Sequence, residues 1–177
     1  MSADFWEWSI ERYEYDGVAS RLLSLQDNLD LNVNIVLWCG WCAENFGDIP
    51  ELVVRKALDL SAHWSRDVTG ALRSARRALK SPPRQADATA AEALREEVRR
   101  AELAAEKIEQ EMLARLAHDM LPPPSDASNP LARLRRNLVT YASIAGAQRR
   151  EGFSVTALED LARRLMPDAA KIEENEE

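Results

Sequence analysis

Apolar residues along this chain recur at intervals of three and four almost throughout. No run of alternating β-branched residues is long enough to argue for a sheet, so the pattern predicts an all-α fold. Asp4 followed by Glu7 reads as a capping box opening a first helix from about Phe5 to Tyr15, which the turn dipeptide Asp16-Gly17 ends. A second helix runs from Val18 to about Asn28, with Val18, Leu22, Leu25 and Leu29 on one side. Asp30 or Asn32 can cap a third helix that reaches Phe46 before Gly47 stops it. That third helix is apolar almost all the way round, which predicts a central position.

Asp48 and Glu51 read as another capping box with Pro50 in the first turn. The helix that follows is expected to continue to about Lys80 through Val54, Leu58, Val68, Leu72, Ala75 and Leu79, with Ser61 and Ser65 filling the register between. After Ser81-Pro82-Pro83 a long helix runs from about Ala88 to Leu121 on a stripe of Ala91, Leu94, Val98, Ala101, Ala105, Ile108 and Met112. At 1.5 Å per residue each would be roughly 45 to 50 Å long, and an antiparallel hairpin is their natural pairing. Pro122 to Pro130 has the composition of a linker. A helix from about Leu131 to Gln148, a turn at Glu151-Gly152 and a short helix from Ser154 to Met166 follow. The expected organisation is one helical domain over 1–166, made of an aromatic-rich three-helix unit (4–47), a long hairpin (48–121) and C-terminal helices (130–166), with a disordered acidic tail over 167–177.

Composition fits one domain of ordinary size: 177 residues, 46% apolar, 30% charged, net charge -7. Charge alternates along the chain, with ten acidic and two basic residues up to position 51, then eight basic and two acidic ones over 52–84. Such alternation suggests segments that neutralise one another more than a continuous nucleic-acid stripe. The N-terminus lacks the basic and apolar regions of a secretory signal, and the stretch from Val33 to Phe46 is too short to span a bilayer, so a cytoplasmic location and no membrane span are expected. All five tryptophans fall within the first 64 residues, which draws attention to the N-terminal half.

Four groups carry candidate chemistry. Cys39-Gly40-Trp41-Cys42 has the spacing of a redox motif, but that chemistry needs the thiols at a helix N-terminus after a strand. In mid-helix the two thiols share a face and act as small hydrophobes, with Gly40 letting another helix approach. His63 near Ser61 and Asp67 is a weak echo of a catalytic set and reads better as a surface or packing histidine, and His118 fits dipole compensation at a helix end. With two cysteines and two histidines, neither a metal site nor a cofactor is expected. Arg73, Arg76, Arg77, Lys80 and Arg84 would cluster at the hairpin tip and could grip phosphates or an acidic protein patch. No aromatic residue stands nearby for bases to stack on, so nucleic acid is not favoured. Gln26, Asp27, Asn32 and Asn34 flank a loop beside Trp38 and Trp41, where they either cap helices or line a groove.

The residues Phe5-Trp6-Glu7-Trp8-Ser9, Tyr13, Gly17-Val18, Leu25-Gln26-Asp27, Val33-Asn34 and Leu37-Trp38-Cys39 resemble the signature of a proteobacterial family of small proteins of unknown function. The resemblance covers roughly residues 5 to 46 and implies no reaction, cofactor or catalytic residue. It also implies an aliphatic residue at the position of Cys42, which makes the paired cysteines a peculiarity of this chain and favours packing.

The functional expectation is a non-enzymatic protein–protein interaction module that presents Trp6, Trp8, Tyr13 and the loop from Gln26 to Asn34 to a protein partner. A second reading is a pocket for an apolar small molecule, either bound or turned over, holding Gln26, Asn34 and Trp38. A third is RNA or ribosome association through the basic tip.

Overall fold

The structure, a computed structural model, describes residues 4–124 and 129–176. The helices are α1 (Phe5–Tyr13), α2 (Val18–Leu29), α3 (Val33–Asn45), α4 (Glu51–Trp64), α5 (Gly70–Ala78), α6 (Ala88–Met120), α7 (Pro130–Ile144), α8 (Val155–Leu165) and α9 (Pro167–Glu176). No strand occurs among the described residues, so the all-α expectation holds. Nor, among them, is any helix long and apolar enough to cross a membrane.

α3 runs through the centre because nearly every position on it is apolar or small. Ile35 to Ala43 are all buried, and α1, α2, α4, α6 and α7 pack around them. Asn32 caps it by accepting from the backbone N–H groups of Asn34 and Ile35 at 2.8 and 3.3 Å. Gly47, at φ 106, takes the chain out of the helix. Gly40 allows α1 to close on α3: a Cβ there would lie 2.6 Å from the Trp8 ring. α7 is tied to the same helix by Asn137, whose Nδ2 donates to the carbonyls of Cys39 and Gly47 and whose Oδ1 accepts from the Ile49 N–H. A buried amide that satisfies three backbone groups fixes the turn between α3 and α4.

Several elements differ from the expectation. The helix read as continuous from Glu51 to Lys80 is broken by a π-turn at Ser65–Thr69, in which the Gly70 N–H donates to the Ser65 carbonyl. The capping box at its start does not form; Asp48 instead pairs with Arg136, and Pro50 stands at the N-cap. α6 buries a stripe one position from the most apolar one. Glu102, Ala105, Glu109, Leu113 and Ala117 face inward, whereas Leu94 and Ile108 are exposed, because arginine and asparagine partners await the two carboxylates. α7 ends at Ile144, where Gly146 at φ 74 turns the chain into a short 3-10 turn. The segment from Pro167, expected to be disordered, forms α9, with Ala170 in the core and Glu173 on Arg135. Of the expected linker, Ser125 to Ser128 lie outside the described residues.

A candidate binding cleft between the aromatic unit and the hairpin

α6 lies between α1 on one side and α4 and α5 on the other, and the two sides do not close over it. The gap is a cleft of about 1070 Å³. α1, α2, the loop into α3 and the first turn of α3 contribute Trp6, Tyr13, Gln26, Asp27, Asn32 and Asn34 to its lining, and α5 contributes Arg73, Arg76 and Arg77. Two groups that are far apart in the sequence, the polar loop and the basic cluster, thus meet on one surface.

Not every nominated residue is there. Trp8 and Trp38 line no part of the cleft and are 3% and 0% exposed. Trp8 packs on Gly40 with its Nε1 donating to Glu44 at 2.8 Å, so it joins α1 to α3 rather than facing a partner. Trp38 sits in the core with its Nε1 unpartnered. Lys80 and Arg84 are exposed outside the cleft. The five cations therefore do not form one free tip: Arg73 and Arg76 turn onto the carboxylates of α6.

The floor is a polar network built from four elements. Ser9 Oγ on α1 donates to Gln110 Oε1 on α6 at 2.8 Å, and Gln110 Nε2 donates to Asn34 Oδ1 on α3 at 2.9 Å. Asn34 Nδ2 then donates to one oxygen of Glu109 at 3.0 Å, while Asn32 Nδ2 donates to the other at 2.8 Å. Tyr141 of α7 completes it, its hydroxyl oxygen accepting from the Asn32 N–H at 2.8 Å, and burial raises the Tyr141 pKa strongly. Cooperative networks of this kind specify a single arrangement when each member is satisfied.

Beside the floor, Arg73 bonds Glu102 at 3.0 Å and Glu106 at 3.2 Å, and Arg76 bonds Glu102 at 2.5 Å. Burial of Glu102 works to raise its pKa, but the hydrogen bonds from Arg76 and Arg73 outweigh it and hold the carboxyl below its usual range. Glu106 goes the other way: burial raises it, Arg73 lowers it in part, and the charges of Glu102 and Glu109 add to the rise. The Tyr13 hydroxyl is also raised, first by burial and then by the charge of Glu106. Ser61, 2% exposed, lines the cleft with an Oγ that has no hydrogen-bond partner.

The rim contrasts with this floor. Ile10, Tyr13, Leu23 and Leu103 all line the cleft and are 44%, 37%, 47% and 49% exposed. Large apolar side chains gathered around one opening mark a contact surface more often than scattered ones do.

The two cysteines are in mid-helix and buried, and burial raises both thiol pKa values far above the ordinary range, which is the chemistry of packing rather than of a nucleophile. His63 has its Nδ1 2.6 Å from the Asp59 carbonyl of its own helix, and Asp67 pairs with Arg66, so the weak catalytic echo is not assembled. His118 lies edge-on to Trp41 and Phe46.

Sequence reasoning missed Ser9, Glu102, Glu106, Glu109 and Gln110 as cleft residues, and read Ser61 only as a register position beside His63. The available signal was the three- and four-residue spacing of Glu102, Glu106, Glu109, Leu113 and Ala117, which continues a buried apolar stripe backwards into carboxylates. Comparisons with curated proteins and with solved structures give no match. The profile of DUF2390, described as a protein of unknown function, matches residues 4–113, a span that takes in α1 to α5 and α6 as far as Leu113, and with them most of the cleft. The chain belongs to the DUF2390 family of proteins of unknown function.

Proposed function

We propose that this protein is a non-catalytic binding module whose cleft docks a segment of a partner protein. The observation that carries the reading is the convergence of Trp6, Tyr13, Gln26, Asn32, Asn34 and Arg73 on one cleft whose rim is apolar and exposed and whose floor is polar and fixed. A rim of this kind supplies buried area, and a floor of ordered amides and carboxylates supplies orientation.

A second reading, an amphipathic small molecule in the same cleft, is supported by a volume near the upper end of ordinary ligand pockets, roughly 300 to 1,000 Å³. Association with RNA has less support, because two of the five cations it relied on are committed to Glu102 and Glu106.

The test compares the wild type with Trp6→Ala and Leu103→Asp, both at the cleft and neither in the core. Immobilised protein is incubated with native lysate, with and without ribonuclease, and the bound fraction is identified by mass spectrometry. A stoichiometric protein that resists ribonuclease and disappears with both variants, at unchanged thermal transitions, is the expected result. Equal capture by all three proteins sinks the reading. A small molecule released from the wild type alone on denaturation selects the second reading instead.

A further inference from the structure

Charge around the cleft is not balanced. Six carboxylates line it (Glu14, Asp27, Asp30, Glu102, Glu106 and Glu109) against four guanidinium groups, Arg66, Arg73, Arg76 and Arg77. Three of those cations are already committed: Arg66 to its neighbour Asp67, and Arg73 and Arg76 to Glu102 and Glu106. Asp30 is met from outside by Arg150 at 3.0 Å. Glu14, Asp27 and Glu109 have no cationic partner among the described residues.

Glu109 is the most telling of these. Only 2% of it is exposed, and its oxygens accept from two neutral amides, Asn32 and Asn34, and from no cation. A carboxylate taken out of water is stabilised by neutral donors only in part, and an approaching ammonium or guanidinium would supply the rest. Glu106 stands one turn away on the same helix and shares its ion-pair partner Arg73 with Glu102. The orphan Oγ of Ser61, on the facing helix α4, is an independent sign of a polar group missing from this space.

Resting on the docking reading above, we propose that the occupant is a basic amphipathic segment of a partner protein. Its apolar side chains lie on Ile10, Tyr13, Leu23 and Leu103, and a lysine or arginine side chain reaches down to Glu106 and Glu109. Charge complementarity selects this occupant over an acidic one, which would meet Glu14 and Asp27 at the mouth and the α6 carboxylates at the floor. The rim selects a segment with an apolar face over a free cation, which would leave four exposed side chains in water. A helix with its side chains is roughly 10 to 12 Å across, a size suited to an open cleft of this volume.

The experiment uses three labelled peptides of one amphipathic pattern, in which the polar face is lysine, glutamine or glutamate, and measures fluorescence anisotropy at about 0.15 M salt. The full chain is compared with Glu106→Gln, Asp27→Asn, Leu103→Asp and the distant surface control Glu92→Gln. Asp27 is exposed, so its variant keeps the test decisive even if Glu106→Gln alters folding. Expected is binding of the lysine peptide that weakens about tenfold with Glu106→Gln, less with Asp27→Asn, and not at all with Glu92→Gln. It should also weaken with Leu103→Asp, although that change adds an attractive charge. Equal losses with Glu92→Gln and Glu106→Gln would show attraction to net charge alone and overturn the proposal. Binding of the glutamine or glutamate peptide as tightly as the lysine one, still sensitive to Leu103→Asp, would overturn the cationic occupant and leave the docking cleft standing. Absence of binding by all three would overturn both.

Discussion

Asn34 holds α3 to α6 through one side chain, its Oδ1 accepting from Gln110 and its Nδ2 donating to Glu109. Asn34→Ala strands both partners in a buried setting, and an unsatisfied buried polar group costs roughly 1 to 3 kcal/mol. Urea unfolding should therefore show a loss of that size, larger than for Asn28→Ala, whose amide is exposed and bonds Ser24 one turn back on its own helix. Equal, small losses would mean that water replaces the network without penalty. That Asn32 and Asn34 matter is legible in the sequence, since amides at the head of an apolar helix must be capping, bonded or exposed to a ligand. Which of these holds is not legible, because their partners Glu109 and Gln110 lie some 75 positions further along the chain. The tryptophans illustrate the same limit. Trp6 and Trp8 are two residues apart, yet the first lines the cleft and the second is locked on Gly40, and only the approach of α3 separates them.

The helices themselves were largely readable, because each depends on spacing and capping within about a dozen residues. α3 was readable as the central one for the same reason, its apolar surface having no polar side to offer water. The misread features are those set by a partner. α6 turns Glu102 and Glu109 inward because α5 and α3 supply arginines and asparagines, and no pattern internal to α6 contains that information. The π-turn is subtler, since it changes one hydrogen-bond register without leaving helical backbone angles. It matters for the cleft, because an extra residue in the turn rotates α5 relative to α4 and so brings Arg73 and Arg76 onto α6. Gly70 makes it possible: a Cβ there would lie 2.5 Å from the Ser65 carbonyl oxygen. Gly→Ala within a helix ordinarily stabilises by about 1 kcal/mol. Here Gly70→Ala is expected to do the reverse, costing roughly 1 to 3 kcal/mol through the clash. A higher melting temperature for Gly70→Ala would show that the chain can do without the π-turn.

At the scale of the whole molecule, the C-terminal helices are joined to the rest by ion pairs as well as by core contacts. Arg135 of α7 bonds Glu159 of α8 and Glu173 of α9, and Arg163 bonds Glu159. Asp160 of α8 reaches across to Arg21 of α2 at 2.5 Å. Hydrogen bonds from Arg135 lower the pKa of Glu159 and of Glu173, and that from Arg21 lowers Asp160. A carboxyl whose folded pKa lies below its unfolded value stabilises the fold above the unfolded value, and that contribution is lost as pH falls toward the folded one. All three act in the same direction, as does Glu102. Glu106, whose pKa is raised, acts in the opposite one: its contribution is present at low pH and is lost as pH rises through the folded value. Asp67 and Glu96, each held down by a neighbouring arginine, act the same way, so among the described residues six lowered carboxyls against one raised predict a melting temperature that declines from about pH 5 downwards, through the range where free carboxylates of pKa about 4 take up protons. The pairs made by Arg135 are partly solvated and each contributes at most about 1 kcal/mol, so Glu173→Gln should lower the melting temperature at neutral pH by about 2 °C and make the acid decline shallower. Ending the chain after Met166 removes Glu173 together with the buried Ala170 and should lower the melting temperature further. A tail with no part in the fold, as its composition alone suggested, would leave both the melting temperature and its pH profile unchanged when cut away, so this truncation decides between an acidic tail and a ninth helix that holds α7 and α8 together.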